Sequence, residues 1–445
     1  MNRPAARTVD APARAAPTPM PAAGGAARVT LALLTLIATV QFFDRALMVV
    51  ILEPIKREFA LTDSQLGLFA GLSYAVAFAL AGIPLGWLAD RSHRRNLLAG
   101  LLALWSALVA AAGSAGQFAT LLAARIGIGA MDAGGQPCSV SMIADLYPPQ
   151  RRASAVAVFY VGVPLGMAAG FMAGGMLAAT QGWRTALFVA AVPGFVLALA
   201  LLLMVREPLR GGSEAGPGED DRTRPHQALP LGTTLRFMRG QRSLVNLIAA
   251  SVLVTASSSA MMSWIGSLLI RSHGLALEQV GLVTAICMGG FGAVGTLLFG
   301  RWADRLGARD MAAQPRLMAL AALLIGVFGS AVCLWPGVIG AAVALAGFAG
   351  CVAGLNGPTY ALSQTLVKVR MRGTSMSVLV VLLNLIGVGV GPTLAGLLSD
   401  VFAARFGADS VRWAMVCVLA ANGPAVLLFW RASATLRADI ERTQA

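Results

Sequence analysis

Long runs of apolar residues alternate with short polar segments along almost the whole chain. Each run is about twenty residues or longer, the length that an α-helix needs to cross the hydrocarbon core of a bilayer. The pattern predicts twelve spans in two groups of six, at residues 29–52, 66–88, 96–115, 118–143, 152–179 and 184–205, and at 243–270, 278–301, 312–334, 337–365, 374–400 and 411–433. We therefore expect an all-α membrane protein built of two six-helix bundles.

Composition supports this expectation and excludes a soluble protein. Of the 445 residues, 57% are hydrophobic and only 12% are charged, and the mean hydropathy is +0.74. Soluble domains average about 25% charged residues. The net charge of +14 comes from short basic clusters between the apolar runs, without the aromatic-interleaved stripe that nucleic-acid binding would need. We expect no nucleic-acid partner.

The distribution of basic residues predicts the orientation in the membrane. An even number of spans places both termini on one side. Most of the 34 lysine and arginine residues fall in the tails and in the loops on that same side, and six fall in the opposite loops. The positive-inside rule then predicts cytoplasmic termini in a bacterial-type inner (plasma) membrane.

Five segments follow from the same pattern. Residues 1–27 are rich in Ala, Pro and Arg and predict a disordered cytoplasmic tail. A first bundle at 28–205 and a second at 243–433 are joined by a cytoplasmic linker at 206–242, whose centre reads "GGSEAGPGEDDRTRPH". Its end, "LRFMRGQRS" (235–243), predicts an interfacial amphipathic turn. Residues 434–445 form a second cytoplasmic tail.

The two halves repeat one another. "GWLADRSHRR" (86–95) follows the second span and "GRWADRLGAR" (300–309) follows the eighth, an offset of 214 residues. Pro137 in "GGQPCS" and Pro358 in "LNGPTY" lie in the fourth and tenth spans, an offset of 221. Two similar offsets from unrelated features indicate a parallel internal repeat, which is an architecture of transporters.

The Gly-x-x-x-Asp-Arg-x-x-x-Arg pattern at 86–95, its echo at 300–309 and the 6+6 layout resemble the major facilitator superfamily over residues 28–435. Within that superfamily the chain resembles the spinster-type, sphingolipid- and lysolipid-transporter-like branch. The stretches that carry this resemblance are "FFDR" (42–45), "LEPIKREFALTDSQLGLFAG" (52–71), "ARIGIGAMDAGGQPCSVSMIADLYPPQRR" (124–152) and "YVGVPLGMAAGFMAGG" (160–175). The resemblance implies secondary transport by alternating access.

Four ionisable residues are predicted deep in the bilayer: Asp44, Arg45, Arg125 and Asp132. Helical rise places Asp44 and Arg125 at about the same depth, and Asp132 lies seven residues, or about two turns, beyond Arg125 on one helix face. The four could form a structural ion-pair cluster. We favour a proton site, because acids inside a membrane are functional by default. A small movement of an arginine would then load or release the proton.

The spinster-like branch has Glu at the acidic position of the fourth span, where this chain has Asp132, and Gly before it, where this chain has Met131. By resemblance, Asp44 is therefore the better-supported proton carrier.

The resemblance also implies a cytoplasmic gate in which Gly86 and Asp90 meet the amino-terminal end of the eleventh span. An acid at that place would be stabilised by the helix dipole. Asp145 is a plausible partner for Arg94 in this gate. Two further gate candidates, Arg91 and Arg95, follow the second span, and plain positive-inside charge is the favoured interpretation for them. The last two, Asp304 and Arg305, are the equivalent pair in the second half.

The second half carries no charge at comparable depth and predicts a neutral, apolar cavity wall. Such a wall suits an amphipathic molecule whose polar end meets Arg125 or Arg45. The candidates for contact with the cargo, each of which could instead serve packing, are Ser258, Met262, Trp264, Asn356 and Asn384.

The leading hypothesis is thus a proton-coupled secondary transporter of a small amphipathic or lipid-like molecule. The alternatives are a proton symporter of organic (aromatic) acids and a multidrug-type proton antiporter. An enzyme is not expected, because neither HExxH, GxSxG nor a Gly-x4-Gly-Lys-Ser/Thr loop is present. Scattered Cys and His predict no metal site and no cofactor. The expected partners are a small-molecule substrate, protons and the bilayer, and we expect a monomer.

Overall fold

A computed structural model describes residues 25–208, 231–368 and 371–444. Most of the predicted amino-terminal tail (1–24) and the centre of the predicted linker (209–230) lie outside these ranges. The described residues fold into α-helices with short π-helical and 3-10 segments, and they contain no β-strand. The expected all-α class is confirmed.

Six helices form the amino-terminal half. They are α1 (Gly25–Phe59), α2 (Asp63–Ala70 and Leu72–Arg91), α3 (Arg94–Gly113), α4 (Phe118–Leu146), α5 (Pro149–Gln181) and α6 (Trp183–Met204).

Six more form the carboxy-terminal half after a linker helix (Leu231–Gly240). They are α7 (Arg242–His273), α8 (Leu277–Thr284, the π-helix Ala285–Phe291, and Gly292–Arg309), α9 (Ala313–Leu334), α10 (Val338–Thr365), α11 (Arg372–Leu382, the π-helix Leu383–Val388, and Gly389–Phe406) and α12 (Ser410–Leu419 and Asn422–Gln444).

The predicted count of twelve helices holds, although length and hydropathy alone identify ten spans among the described residues. One of the ten, Arg372–Thr443, contains both α11 and α12. The other missing span is α4, whose mean hydropathy is lowered by Arg125 and Asp132. The helix that hydropathy misses is therefore one that carries two of the candidate functional residues.

Close packing of α1 against α5 fixes the position of the candidate site. At Gly166 an added Cβ would lie 2.2 Å from the carbonyl oxygen of Thr39, and at Gly170 it would lie 2.3 Å from that of Phe43. Any side chain there would push the helices apart, so these glycines let the two backbones meet. Residues 39–43 of α1 therefore pack against α5. The two residues that follow, Asp44 and Arg45, reach toward α4.

We call the side of the membrane that carries the linker helix the linker side, and the opposite side the far side. On the linker side, Ser243 at the start of α7 donates its backbone N–H to Asp439 Oδ2 of α12 at 2.6 Å. This contact buries Asp439, and α12 stays helical to Gln444. Residues 434–444, predicted as a tail, thus extend the last helix and pack against the bundle.

Candidate transport site

The four deep charges meet between α1 and α4. Arg45 donates to Asp132 Oδ2 from Nη2 at 3.1 Å and from Nε at 3.3 Å. Two further side chains hold the same carboxylate: Gln41 Nε2 donates to Oδ1 at 3.3 Å, and Tyr74 Oη of α2 donates to Oδ2 at 2.7 Å. Asp132 therefore accepts hydrogen bonds from three side chains.

The second pair, Asp44 and Arg125, is much looser. Asp44 Oδ2 lies 3.8 Å from Arg125 Nη1, which is an ion pair without a hydrogen bond. The Asp44 side chain is only 1% exposed, yet its Oδ1 has no hydrogen-bond partner among the described residues. Nε and Nη1 of Arg125 have none either. Since a buried ion without hydrogen bonds is costly, Asp44 is the less well stabilised of the two carboxylates.

The structure thus brings together all four residues that the sequence singled out, with Asp44 beside Arg125 as helical rise indicated. Asp132 pairs with Arg45 from the other helix, and Arg125 faces Asp44. Arg125 and Asp132 were expected on one face of α4, but among the described residues no ion pair joins them. The reason is that Asp44 and Arg45 are adjacent and reach α4 at two different levels.

Tyr74 was missed by sequence reasoning. Its ring lies 5.4 Å from the Arg45 guanidinium and 4.9 Å from that of Arg125, so it contacts both cations. The available signal was weak: the chain has only four tyrosines, and a phenol in an apolar helix needs a hydrogen-bond partner.

A central cavity of about 230 Å³ opens beside this cluster. Arg45 and Arg125 line it, whereas the two carboxylates lie behind them. The Arg45 side chain is 35% exposed, compared with 8% for Arg125. The remaining lining is mostly apolar or neutral and comes from both halves: Phe42, Met48, Val49, Leu52, Phe69, Ala70, Tyr74, Met167, Ser259, Met262, Ser263, Asn384 and Val388.

Two of the five predicted cargo contacts, Met262 and Asn384, line this cavity, and three do not. Trp264 is buried and donates its Nε1 to the carbonyl oxygen of Pro392 at 3.0 Å, so it packs α7 against α11. Ser258 is buried as well, and Asn356 is exposed away from the cavity lining. The prediction of Ser258 named the right helix but the wrong position on it, because its neighbour Ser259 lines the cavity.

An ion network that the sequence did not single out joins the two halves on the far side. Arg271 of α7 contacts Glu53 of α1 at 2.8 Å and Asp63 of α2 at 3.0 Å. Asp400 of α11 accepts from the backbone N–H groups of Asp63 at 2.9 Å and Ser64 at 2.8 Å. A charged residue near a helix end is too common for its partner to be read from sequence.

The predicted gate residues of the linker side form contacts within the amino-terminal half. Arg94 lies 2.5 Å from Asp145 and 3.1 Å from Glu207. The Arg95 guanidinium donates to the carbonyl oxygen of Val205, and that of Arg91 stacks on Trp87 at 4.2 Å.

The other predicted gate residues make no contact across the halves that the structure describes. Nothing lies within 4 Å of a Cβ built on Gly86. Arg305 is exposed. The side chains of Asp90 and Asp304 lie outside the part of the chain that the structure describes in full.

Contacts between the halves are therefore concentrated on the far side. Several hydrogen bonds and ion pairs link α1–α6 to α7–α12 at the far-side ends of α1, α2, α7 and α11. The two halves are thus joined on the far side.

The chain belongs to the Major Facilitator Superfamily, whose family model matches residues 34–392. It is a multi-pass membrane transporter of that superfamily and not an enzyme.

Comparison with individual proteins shows which members of the superfamily this chain resembles. A crystal structure of a bacterial homologue of the human lysosomal transporter spinster, in an inward-facing and unoccupied conformation, superposes with a TM-score of 0.86 at 26% identity, covering 94% of this chain and 99% of that one. The resemblance to the spinster-type branch is thereby confirmed.

Two curated relatives are similar over nearly their full length. An MFS-type efflux pump of Mycolicibacterium smegmatis is 29% identical over 420 residues, covering 92% of each chain. The 3-(3-hydroxy-phenyl)propionate transporter of Escherichia coli K12 is 27% identical over 407 residues, covering 90% of this chain and 91% of the relative.

Proposed function

We propose that the protein is a proton-coupled secondary transporter that works by alternating access in the inner membrane, with both termini in the cytoplasm. Its cargo is a small amphipathic or lipid-like molecule with an anionic group. The observation that carries this proposal is that the buried carboxylate of Asp44 is only loosely held by Arg125. Arg125, in turn, lines the cavity.

The charge balance of the cluster supplies the coupling. With both carboxylates ionised, Asp44 and Asp132 compensate Arg45 and Arg125. A proton on Asp44 leaves one positive charge uncompensated next to the cavity, where it attracts an anion. Because coupling between two ligands is reciprocal, a bound anion then favours the proton to the same extent. Asp132 is held by three donors and keeps Arg45 in place while Asp44 titrates.

The shape of the cavity supports an amphipathic cargo. Its polar end is formed by the amino-terminal half through Arg45, Arg125 and Tyr74, and its opposite wall contains Met262 and Val388. An anionic group would face the arginines while an apolar body lies against the carboxy-terminal half.

The relatives favour two further candidates. The E. coli relative is named a transporter of 3-(3-hydroxy-phenyl)propionate, an aromatic acid whose carboxylate would suit the same arginines. The mycobacterial relative is named an efflux pump, which agrees with a multidrug-type antiporter. An antiporter of cations would reverse the coupling, because a cation is repelled by the charge that a proton on Asp44 exposes.

Reconstituted vesicles distinguish these proposals. Cargo flux and proton uptake are measured side by side with a lysophospholipid, an arylpropionate and a lipophilic cation, each with and without a pH gradient. Anion entry together with protons supports the proposal. Cation movement against protons supports the antiporter, and flux of any cargo without proton movement refutes the coupling.

The linker-side gate remains part of the proposal. When the halves close on that side, Gly86 would allow close approach to α11 and Asp90 would face its amino-terminal end. Asp90→Ala should then raise the labelling of cysteines placed on the linker-side parts of α4 and α10, because the closed state is lost. Unchanged labelling would leave Asp90 with a role in topology alone.

A further inference from the structure

A second basic site lies on the linker side of the carboxy-terminal half, away from the central cavity. Three arginines from three elements line one groove: Arg239 from the linker helix, Arg242 from α7 and Arg431 from α12. The groove has a volume of about 420 Å³ and shares no lining residue with the central cavity. The proposed transport of cargo through the central cavity does not involve these three arginines.

The groove is built on a fixed frame. Asp439 Oδ2 accepts the backbone N–H of Ser243, which ties the start of α7 to the end of α12. Gln241, between the linker helix and α7, donates its Nε2 to the Asp439 carbonyl at 3.3 Å and to Thr443 Oγ1 at 3.1 Å. The three arginine backbones are thereby held together without a ligand.

The positive charge of the groove is not compensated by the described part of the chain. Arg239, Arg242 and Arg431 are exposed, and none forms an ion pair with a carboxylate among residues 25–208, 231–368 and 371–444. Of the two acids of α12 at this end, Asp439 is only 2% exposed and already contacts Ser243 and Arg442, and Glu441 is exposed but forms no ion pair with the three arginines among the described residues.

Apolar surface continues from the groove toward the membrane. Val245 and Ala434 form part of its lining, and Val245 is exposed. On α12, Trp430 and Leu427 are exposed just before Arg431, on the membrane side of the arginines. Trp is enriched where a helix meets the lipid head groups. The site therefore combines three cations with an adjoining exposed apolar surface.

We propose that this groove binds the anionic head group of a phospholipid in the linker-side leaflet. Basic pockets between membrane helices recognise such head groups, and juxtamembrane arginines attract them. The continuous apolar surface favours a lipid over a soluble phosphate, because a free phosphate would leave that surface without a partner. Occupation would join the linker helix, α7 and α12 around one ligand.

Lipid binding tests this inference without reference to transport, so its failure is separate from failure of the proposed function. The purified chain in neutral detergent is titrated with phosphatidylglycerol or phosphatidylcholine of identical acyl chains, and the thermal midpoint reports binding. The test variant combines Arg239→Gln, Arg242→Gln and Arg431→Gln. The matched control combines Arg206→Gln, Arg309→Gln and Arg372→Gln, three exposed arginines of the linker side outside the groove.

The wild type and the control should prefer phosphatidylglycerol, and the test variant should lose the preference by roughly fivefold per arginine. A preference that survives in the test variant, or disappears equally in the control, refutes the groove. Equal stabilisation by inorganic phosphate would assign the site to a soluble anion instead.

A further variant tests whether a segment of the chain itself occupies the groove. Glu214, Glu219, Asp220 and Asp221 are neutralised to Gln or Asn in the full-length protein. If phosphatidylglycerol stabilises only this variant and not the wild type, the acidic linker segment occupies the groove and the lipid proposal is wrong. If the wild type already shows the preference, the proposal stands.

Discussion

The two halves of the protein share one fold and differ in their chemistry at the cavity. The amino-terminal half contributes Arg45, Arg125 and the carboxylates behind them. The carboxy-terminal half contributes neutral groups such as Met262 and Asn384. At the cavity, the residues that can carry charge thus come from the amino-terminal half and the uncharged wall from the carboxy-terminal half.

The helices of the neutral half are also less regular. Among the described residues, π-helical turns occur in α8 and α11 only, and the turn in α11 (Leu383–Val388) carries Asn384 into the cavity lining. Such turns occur frequently at functional sites, because they rotate the side chains that follow them. The comparison therefore predicts a division: changes in the first half should alter the dependence on pH, and changes in the second should alter selectivity for the cargo.

The largest effect is expected for Arg125→Ala. It removes the cation that faces Asp44 and lines the cavity, and unpairing one member of a buried pair costs about 3–5 kcal/mol. Cargo flux should fall on the order of a hundredfold, which corresponds to about 2.7 kcal/mol and is less than the cost of unpairing the buried charge. Arg125→Lys keeps the charge without the planar fork, so it should retain some binding but little coupled transport. Flux and proton uptake in the same vesicles provide the measurement.

The matched control for this change is Arg184→Ala. Arg184 is a half-buried far-side arginine paired with Glu58 within the amino-terminal half, so its loss should leave coupling intact. Wild-type transport by Arg125→Ala would show that the four deep charges are structural, and the division between the halves would lose its basis.

Asp44→Asn should have the second largest effect. The variant cannot take up a proton at this position, so flux driven by a pH gradient should be abolished while exchange of cargo at equal pH persists. Asp132→Asn should reduce flux less, because an amide oxygen in the place of Oδ2 can still accept from Tyr74 and Arg45. Equal loss of proton uptake in both variants would assign the proton to the pair instead of to Asp44.

The fold was largely predictable because lipid imposes a simple rule: every span must be long, helical and apolar. The same rule identified Asp44, Arg45, Arg125 and Asp132, since charges in such spans stand out. Helical rise also placed Asp44 level with Arg125, and these two side chains lie 3.8 Å apart. It could not show that Asp132 pairs with Arg45, because Arg45 and Asp44 differ by one residue and side-chain direction decides which reaches Asp132. Nor could it find Tyr74 or the far-side network, whose residue types are ordinary at their positions.

Arg271→Gln should have an intermediate effect that neither half alone explains. Its guanidinium joins Glu53 and Asp63 of one half to α7 of the other. Without it the far side should open more readily, and labelling of far-side cysteines should increase several-fold. Flux should change by roughly tenfold or less, since Asp400 still holds the start of α2. Unchanged labelling would mean that Arg271 does not hold the far side closed.

The smallest effect, and the sharpest test of the division, is expected for Asn384→Ala. The Asn384 side chain donates to the Val380 carbonyl within α11 and lines the cavity opposite the arginines. Its loss removes one polar group from a neutral wall, so the ratio of flux between two cargoes should shift by about two- to tenfold, as for one uncharged hydrogen bond. The pH profile should stay that of the wild type, because no proton-carrying group is touched.

Asn356→Ala, outside the cavity lining, is the matched control and should change neither quantity. A shifted pH profile in Asn384→Ala would show that the neutral half takes part in proton coupling, and the two halves would then be one site.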